Sequence, residues 1–132
     1  MAGTSGSPFR WNAVCIDCHP DDIDRVVSFY AALTGLEAVE REDRWVALRG
    51  IASEMAINVQ AEDWYTRPSW PERAGAQSKM MHFEVQVDDV PAAVETAISM
   101  GASQAEPQPL DRDSQTLRVM LDPAGHPFCL WS

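Results

Sequence analysis

His82 and Glu84 stand two residues apart in residues 81–87, on the polar side of an alternating pattern. Met81, Phe83, Val85 and Val87 point one way, and His82, Glu84 and Gln86 point the other. Period two marks a strand with one apolar face, so the imidazole and the carboxylate lie side by side. Such a pair can exchange a proton near neutral pH, orient one partner through the other, or share a cation. A lone strand histidine is more often satisfied by its neighbours, and a strand glutamate is more often solvated. Here the opposite face is committed to the core, which leaves the His82 face free to line a cavity. His82 and Glu84 are therefore the expected acid/base residues, and His82 is the first metal ligand to consider.

Cys129 lies between Phe128 and Leu130 in the last strand. It is expected on the His82 face, as a ligand contact or a small buried filler. Arg118 is expected on that face of the neighbouring strand, where a guanidinium would favour an anionic ligand. His126, in a Gly-His-Pro turn, reads as a turn residue bonded to local backbone. Cys15-Ile-Asp-Cys18-His19 matches the CxxCH pattern of haem attachment. The match begins inside an alternating strand that sends the two thiols to opposite faces, so covalent haem is not expected. A redox CxxC or a zinc site would need a helix N-terminus or a turn where a strand is read.

The elements that position these residues follow from periodicity. After the His82 strand, Asp88 and Asp89 offer N-cap oxygens and Pro91 suits a first turn. Val90, Val94, Ala97 and Ile98 recur at helical spacing, and Gly101 closes the helix. A weak strand over 102–106 precedes the alternating Leu117, Val119 and Leu121. Asp122 to Gly125 reads as a tight turn into a last strand, Pro127–Trp131.

The first half has the same order. Residues 11–18 read as a strand, with Val14, Ile16 and Cys18 on one face and Ala13, Cys15 and Asp17 on the other. Asp21 or Asp22 can cap a helix whose apolar stripe is Ile23, Val26, Val27, Tyr30, Ala31 and Leu33, ended by Gly35. Strands follow at 36–40, 44–49 and 55–60, the first two joined by a turn at 41–43. Strand, helix and three strands occur twice, an internal repeat of about 50–55 residues argued from pattern. Residues 1–10 read as a flexible lead-in, 11–132 as one domain, with unit one at about 11–60, a linker at 61–79 and unit two at 80–132. Trp64, Tyr65 and Trp70 stand in that polar linker. They read either as packing over a sheet edge or as a flap giving apolar contact area to a ligand.

The chain has 132 residues, 45% of them hydrophobic, and a formal net charge of −10. That is one globular domain. An acidic surface repels phosphate backbones and anionic lipid, so neither nucleic acid nor membrane is an expected partner. No apolar run approaches the roughly 20 residues that cross a bilayer, and no apolar leader is read at the N-terminus. Three cysteines do not suggest a disulfide framework, and a reducing cytoplasm is the expected location.

The phrases IDCHPDDIDRVVSFYAALTGLE, YTRPSWPE, MHFEVQVDDVPAAVETAISMGA and RVMLDPAGHPFCLW resemble the glyoxalase-like branch of the vicinal oxygen chelate superfamily. That superfamily includes glyoxalase I, extradiol dioxygenases, epimerases and bleomycin-resistance proteins. The resemblance covers nearly all of residues 11–131. It implies an α+β fold in which two βαβββ units form a cup-shaped mixed sheet, helices on the outer face, around one small-molecule site. A homodimer is also implied. Metal-dependent members place ligands on the first and last strand of each unit, facing the cup. Carried over, these positions fall on His82 and Cys129 in the second unit. In the first they fall on Cys15 or Ala13 and on Asn58 or Gln60. His82 fits the pattern, and Cys129 departs from the usual glutamate. The cofactor expectation is therefore none or one divalent metal ion, with His82, Cys129 and Cys15 as a softer set suited to zinc.

Two functions follow as expectations. One is a protein that holds an organic small molecule in the cup, with Asn58, Trp64, Tyr65, Trp70, Arg118 and Cys129 as ligand contacts. The other is a lyase, isomerase or dioxygenase that uses His82 and Glu84, with or without a divalent metal.

Overall fold

The computed structural model describes residues 8–50 and 55–132. The first unit runs β1 (Val14–Cys18), a 3-10 turn (Pro20–Asp22), α1 (Ile23–Thr34), β2 (Glu37–Glu42), β3 (Trp45–Arg49) and β4 (Ile57–Ala61). The second runs β5 (Phe83–Gln86), α2 (Val90–Ser99), β6 (Ser103–Gln104), β7 (Leu117–Leu121) and β8 (Pro127–Trp131). Each unit makes a four-stranded mixed sheet, β1-β4-β3-β2 and β5-β8-β7-β6. The second order is the first repeated, with a parallel pair (β1–β4, β5–β8) and antiparallel neighbours. The repeat read from periodicity is thus a repeat of topology, and the α+β fold of two βαβββ units around an open, cup-like sheet is the one observed.

Each helix buries one stripe on one sheet face. In α1 the buried residues are Ile23, Val26, Val27, Phe29 and Tyr30. Phe29 is absent from the expected stripe. It is fully buried because it reaches across the joint, its ring centroid 5.5 Å from that of Phe128 in β8. In α2, Val90, Val94 and Ala97 are buried, while Ile98 is partly exposed at 43%. Asp89 caps α2 by accepting the Ala92 N–H at 3.1 Å. Asp22 occupies the N-cap of α1 without a side-chain cap bond; instead His19 Nδ1 accepts from Asp21 N and caps the preceding turn.

Several boundaries differ from expectation. The β2–β3 turn falls at Asp43 and Arg44, not 41–43, because pairing continues through Arg41–Val46 and Glu42–Trp45. Met81 is 82% exposed and precedes β5, so the apolar side of that strand is Phe83 and Val85, continued by Val87. The strand expected over 102–106 shrinks to two residues. Beyond them the Gln108 side chain substitutes for a strand, its Nε2 donating to Val119 O and its Oε1 accepting from Val119 N. The lead-in falls mostly outside the described residues.

The two units are joined through one buried carboxylate. Asp122, 1% exposed at the start of the β7–β8 turn, accepts from the Tyr30 hydroxyl at 2.5 Å and from the Ala124 and His126 N–H groups at 2.8 and 2.9 Å. Three donors offset the cost of removing the group from water. Burial, then the Asp122 charge, pushes the Tyr30 phenol pKa far up, so it remains a donor. His126 does more than the local turn role expected of it. Its Nε2 lies 2.7 Å from the Asp17 carbonyl at the far end of β1, which fixes that nitrogen as the donor. Tyr65 joins the same place, donating to Ala124 O at 2.8 Å.

Candidate functional site

Successive strand residues alternate faces, and residues paired across a ladder share one. Register therefore assigns the side chains of the face away from the helices. In the first sheet this face carries Cys15, Asn58 and Ala47 in one row and Asp17, Gln60 and Trp45 in the next. In the second it carries Glu84, Cys129 and Val119, then Gln86, Trp131 and Leu117. Because Val14–Ile57 and Phe83–Phe128 open equivalent ladders, Ala13 corresponds in position to His82, Cys15 to Glu84, and Asn58 to Cys129.

Glu84 and Cys129 line a hollow of about 190 Å³ with Arg112, Thr116, Leu117 and Trp131. Burial raises the Cys129 thiol pKa; Glu84 adds to the rise, and Arg112 and Lys79 oppose it. The thiol is therefore protonated at neutral pH and is a weak nucleophile. His82 remains outside this hollow. Its Nε2 lies 3.9 Å from Glu84 Oε2, with both side chains substantially exposed. Arg112 was not anticipated, and its polar Asp-Arg-Asp setting gives no periodic signal that would reveal it.

Arg118 is not where it was expected. The register pairs it with Leu130 and pairs Val119 with Cys129, so Arg118 belongs to the helix-covered side of the sheet. Its Nη1 donates to Gln104 Oε1 at 2.8 Å, and Nε and Nη2 donate to Ser114 O. Reading the apolar residues of β7 as one face misled, because Val119 and Met120 are both buried, on opposite faces.

On the first sheet, Asn58 Oδ1 accepts from Arg49 Nη1 at 2.9 Å, and the Cys15 thiol lies 3.8 Å from Gln60 Oε1. Burial, then Glu62, raises the Asp17 carboxyl pKa, while His126 opposes. Burial, then Asp17 and Glu62, raises the Cys15 thiol. The linker aromatics separate in role. Tyr65 braces the joint, Trp70 Nε1 donates to Pro107 O at 2.8 Å, and Trp64 is 94% exposed.

A divalent ion that polarises a substrate needs about three firm protein ligands. Among the described residues, no three His, Cys, Asp or Glu side chains converge to hold one. His82, Cys129 and Cys15 do not assemble the soft site that was considered. The donor set does not fit a resident metal, and no step is derived through one.

Two βαβββ units, each with one helix-covered face and one open face, define a cup-type α+β domain. The chain matches the Glyoxalase-like domain family over residues 13–131 and belongs to that family. No curated protein matches it by sequence. Among solved structures it is similar to a glyoxalase family protein from Enterococcus faecalis, at 20% identity over 93% of this chain and 97% of that one, with a TM-score of 0.63. It is also similar to a glyoxalase/bleomycin resistance protein/dioxygenase family enzyme from Burkholderia phytofirmans, at 21% identity over 90% and 94%, with a TM-score of 0.61. An antibiotic binding protein from a Streptomyces species aligns over 95% and 97% at 14% identity, with a TM-score of 0.52. At these identities the likeness is one of fold. No helix among the described residues is long and apolar enough to cross a membrane.

Proposed function

We infer that this chain binds an organic small molecule on the open face of its second sheet, centred on Glu84 and Cys129, and does so without a resident metal. The observation that carries this reading is the hollow itself. Its carboxylate, guanidinium, thiol and indole edge converge on one side of a sheet whose other side is filled by the core. A protonated, partly buried thiol and an indole give contact area, while Glu84 and Arg112 give orientation. The antibiotic binding protein of similar fold is in keeping with a small-molecule ligand. At about 190 Å³ the hollow is smaller than the roughly 300–1,000 Å³ of sites for drug-sized ligands. A second copy of the chain closing over the face would supply the missing wall. Sedimentation with and without ligand tests that, and a strictly monomeric complex would remove it.

The binding test is a thermal-shift screen with planar antibiotics and aromatic metabolites, repeated with Cys129→Phe, which fills the hollow. Hits that raise Tm in the parent and not in the filled variant support the reading. Hits indifferent to Cys129→Phe would place the ligand elsewhere.

The His82–Glu84 spacing of 3.9 Å favours a second reading, in which His82 and Glu84 act as an acid/base pair on the bound molecule. Turnover of a screened ligand that is lost in His82→Ala, with Tm unchanged, supports catalysis. Binding without turnover leaves the chain a binding protein.

A further inference from the structure

A second cavity lies away from Glu84 and Cys129 and shares no lining residue with the hollow they form. It holds about 520 Å³ between the first turns of α1, the C-terminal end of α2 and the β7–β8 turn. Its polar wall includes Arg25, Ser28, Arg67 and Ser103, and its apolar wall includes Met100 and Pro123. The geometry points to a second binding site here, for a small organic oxyanion whose phosphate or carboxylate group meets Arg67 and Arg25 and whose body lies along Met100 and Pro123.

Arg67 is held in place from two directions. Its Nη1 donates to Pro123 O at 2.9 Å. Its guanidinium also rests on Gly125, where a Cβ would stand 3.0 Å from Arg67 Cζ and Nε. A guanidinium carries five N–H donors in a planar fork. One is used on Pro123, so the remainder can meet an oxyanion in the fixed geometry that bidentate recognition needs. Arg25 pairs with Asp22 and keeps further donors in the same way.

Both carboxylates that line the cavity already accept hydrogen bonds. Asp24 lines it, but its carboxylate accepts from Arg41 Nη1 at 2.9 Å. Asp122 lines it from below, with its oxygens committed to Tyr30, Ala124 and His126. Two carbonyls in the last turn of α2 also have partners. Ala97 O and Ile98 O accept from the N–H groups of Met100, Gly101 and Ala102, which blunts the negative end of that helix. What remains to meet a ligand is two guanidinium groups and two hydroxyls. The volume far exceeds one phosphate group, which is why an organic body is part of the assignment.

The test uses full-length, 15N-labelled protein at low ionic strength with phenyl phosphate and benzoate as probes and phenol as the neutral control. We expect the two oxyanions, and not phenol, to shift the amides of Ser28, Arg67, Gly101 and Gly125 at millimolar concentration. Arg67→Gln and Arg25→Gln are each expected to weaken the oxyanions at least tenfold, with the remaining spectrum preserved. Added salt should weaken them further. Absence of shifts, equal shifts from phenol, shifts confined to Glu84, Arg112 and Cys129, or unchanged affinity in Arg67→Gln would each overturn the assignment. A spectrum collapsed in Arg67→Gln passes the decision to Arg25→Gln, on the exposed surface of α1.

Discussion

The Tyr30 hydroxyl donates to Asp122 Oδ2 at 2.5 Å across 92 positions of sequence, and this buried bond ties the helix of one unit to the terminal hairpin of the other. Tyr30→Phe keeps the ring and its edge contact with Phe83, at 6.0 Å between centroids, but removes one of the three donors from a carboxylate that is 1% exposed. The expected loss is about 1–3 kcal/mol, the cost of under-satisfying a buried acceptor. Urea unfolding measures it; a variant as stable as the parent would show that the bond contributes nothing net.

Two glycines separate backbone strain from steric fit. Gly35 ends α1 at φ 78°, with nothing within 4 Å of a built Cβ. Gly35→Ala should cost only the left-handed penalty, about 1–2 kcal/mol. Gly125, at φ 90°, carries the same penalty and also faces Arg67. Gly125→Ala should therefore be the more damaging of the two. Equal losses in chemical denaturation would mean that Arg67 moves aside freely.

The three thiols should report their burial to Ellman's reagent. Cys15 is exposed, Cys129 partly buried and Cys18 fully buried. The expected order of reaction in native protein is Cys15, then Cys129, with Cys18 reacting only on unfolding. Each rate falls below that of an ordinary exposed thiol, since all three pKa values are raised. Early labelling of Cys18, read by mass spectrometry, would contradict the β1 packing.

Stability should decline in alkali. Burial, then the nearby aspartates and Cys15, pushes the Cys18 thiol from 9.0 to about 12. Below about pH 9 the thiol is protonated in both states and contributes no dependence. Between about 9 and 12 the unfolded chain loses the proton first, so this group lowers stability by about 1.4 kcal/mol per pH unit. Cys15 and Cys129 act in the same direction. Cys18→Ala should flatten the decline above pH 9, and an unchanged slope would assign it to other groups.

Much of the fold was legible because strands such as β1 and β4 bury one face. The alternation in residues 14–18 and 57–61 appears in the letters, as does β8, whose bounds were read without error. Gly35 and Gly101 stop the helices because the chain there takes positive φ. The site was less legible. Arg118 was misassigned because β7 buries neighbours on both faces, so periodicity cannot say which face is open. Arg112 comes from an irregular segment, and its approach to Cys129 is a property of the closed fold alone. His126 carried a turn signal and nothing to announce its contact with Asp17, 109 positions earlier.

The one-sided covering of the two sheets has a consequence for inheritance. Substitutions at Ile16, Val59 or Leu130 are judged by whether the chain still folds. Those at Cys15, Asn58, Glu84 or Cys129 are judged by what the surface meets. Adjacent letters of one strand thus answer to different selective pressures, and a lineage can remodel its open surface while keeping its architecture.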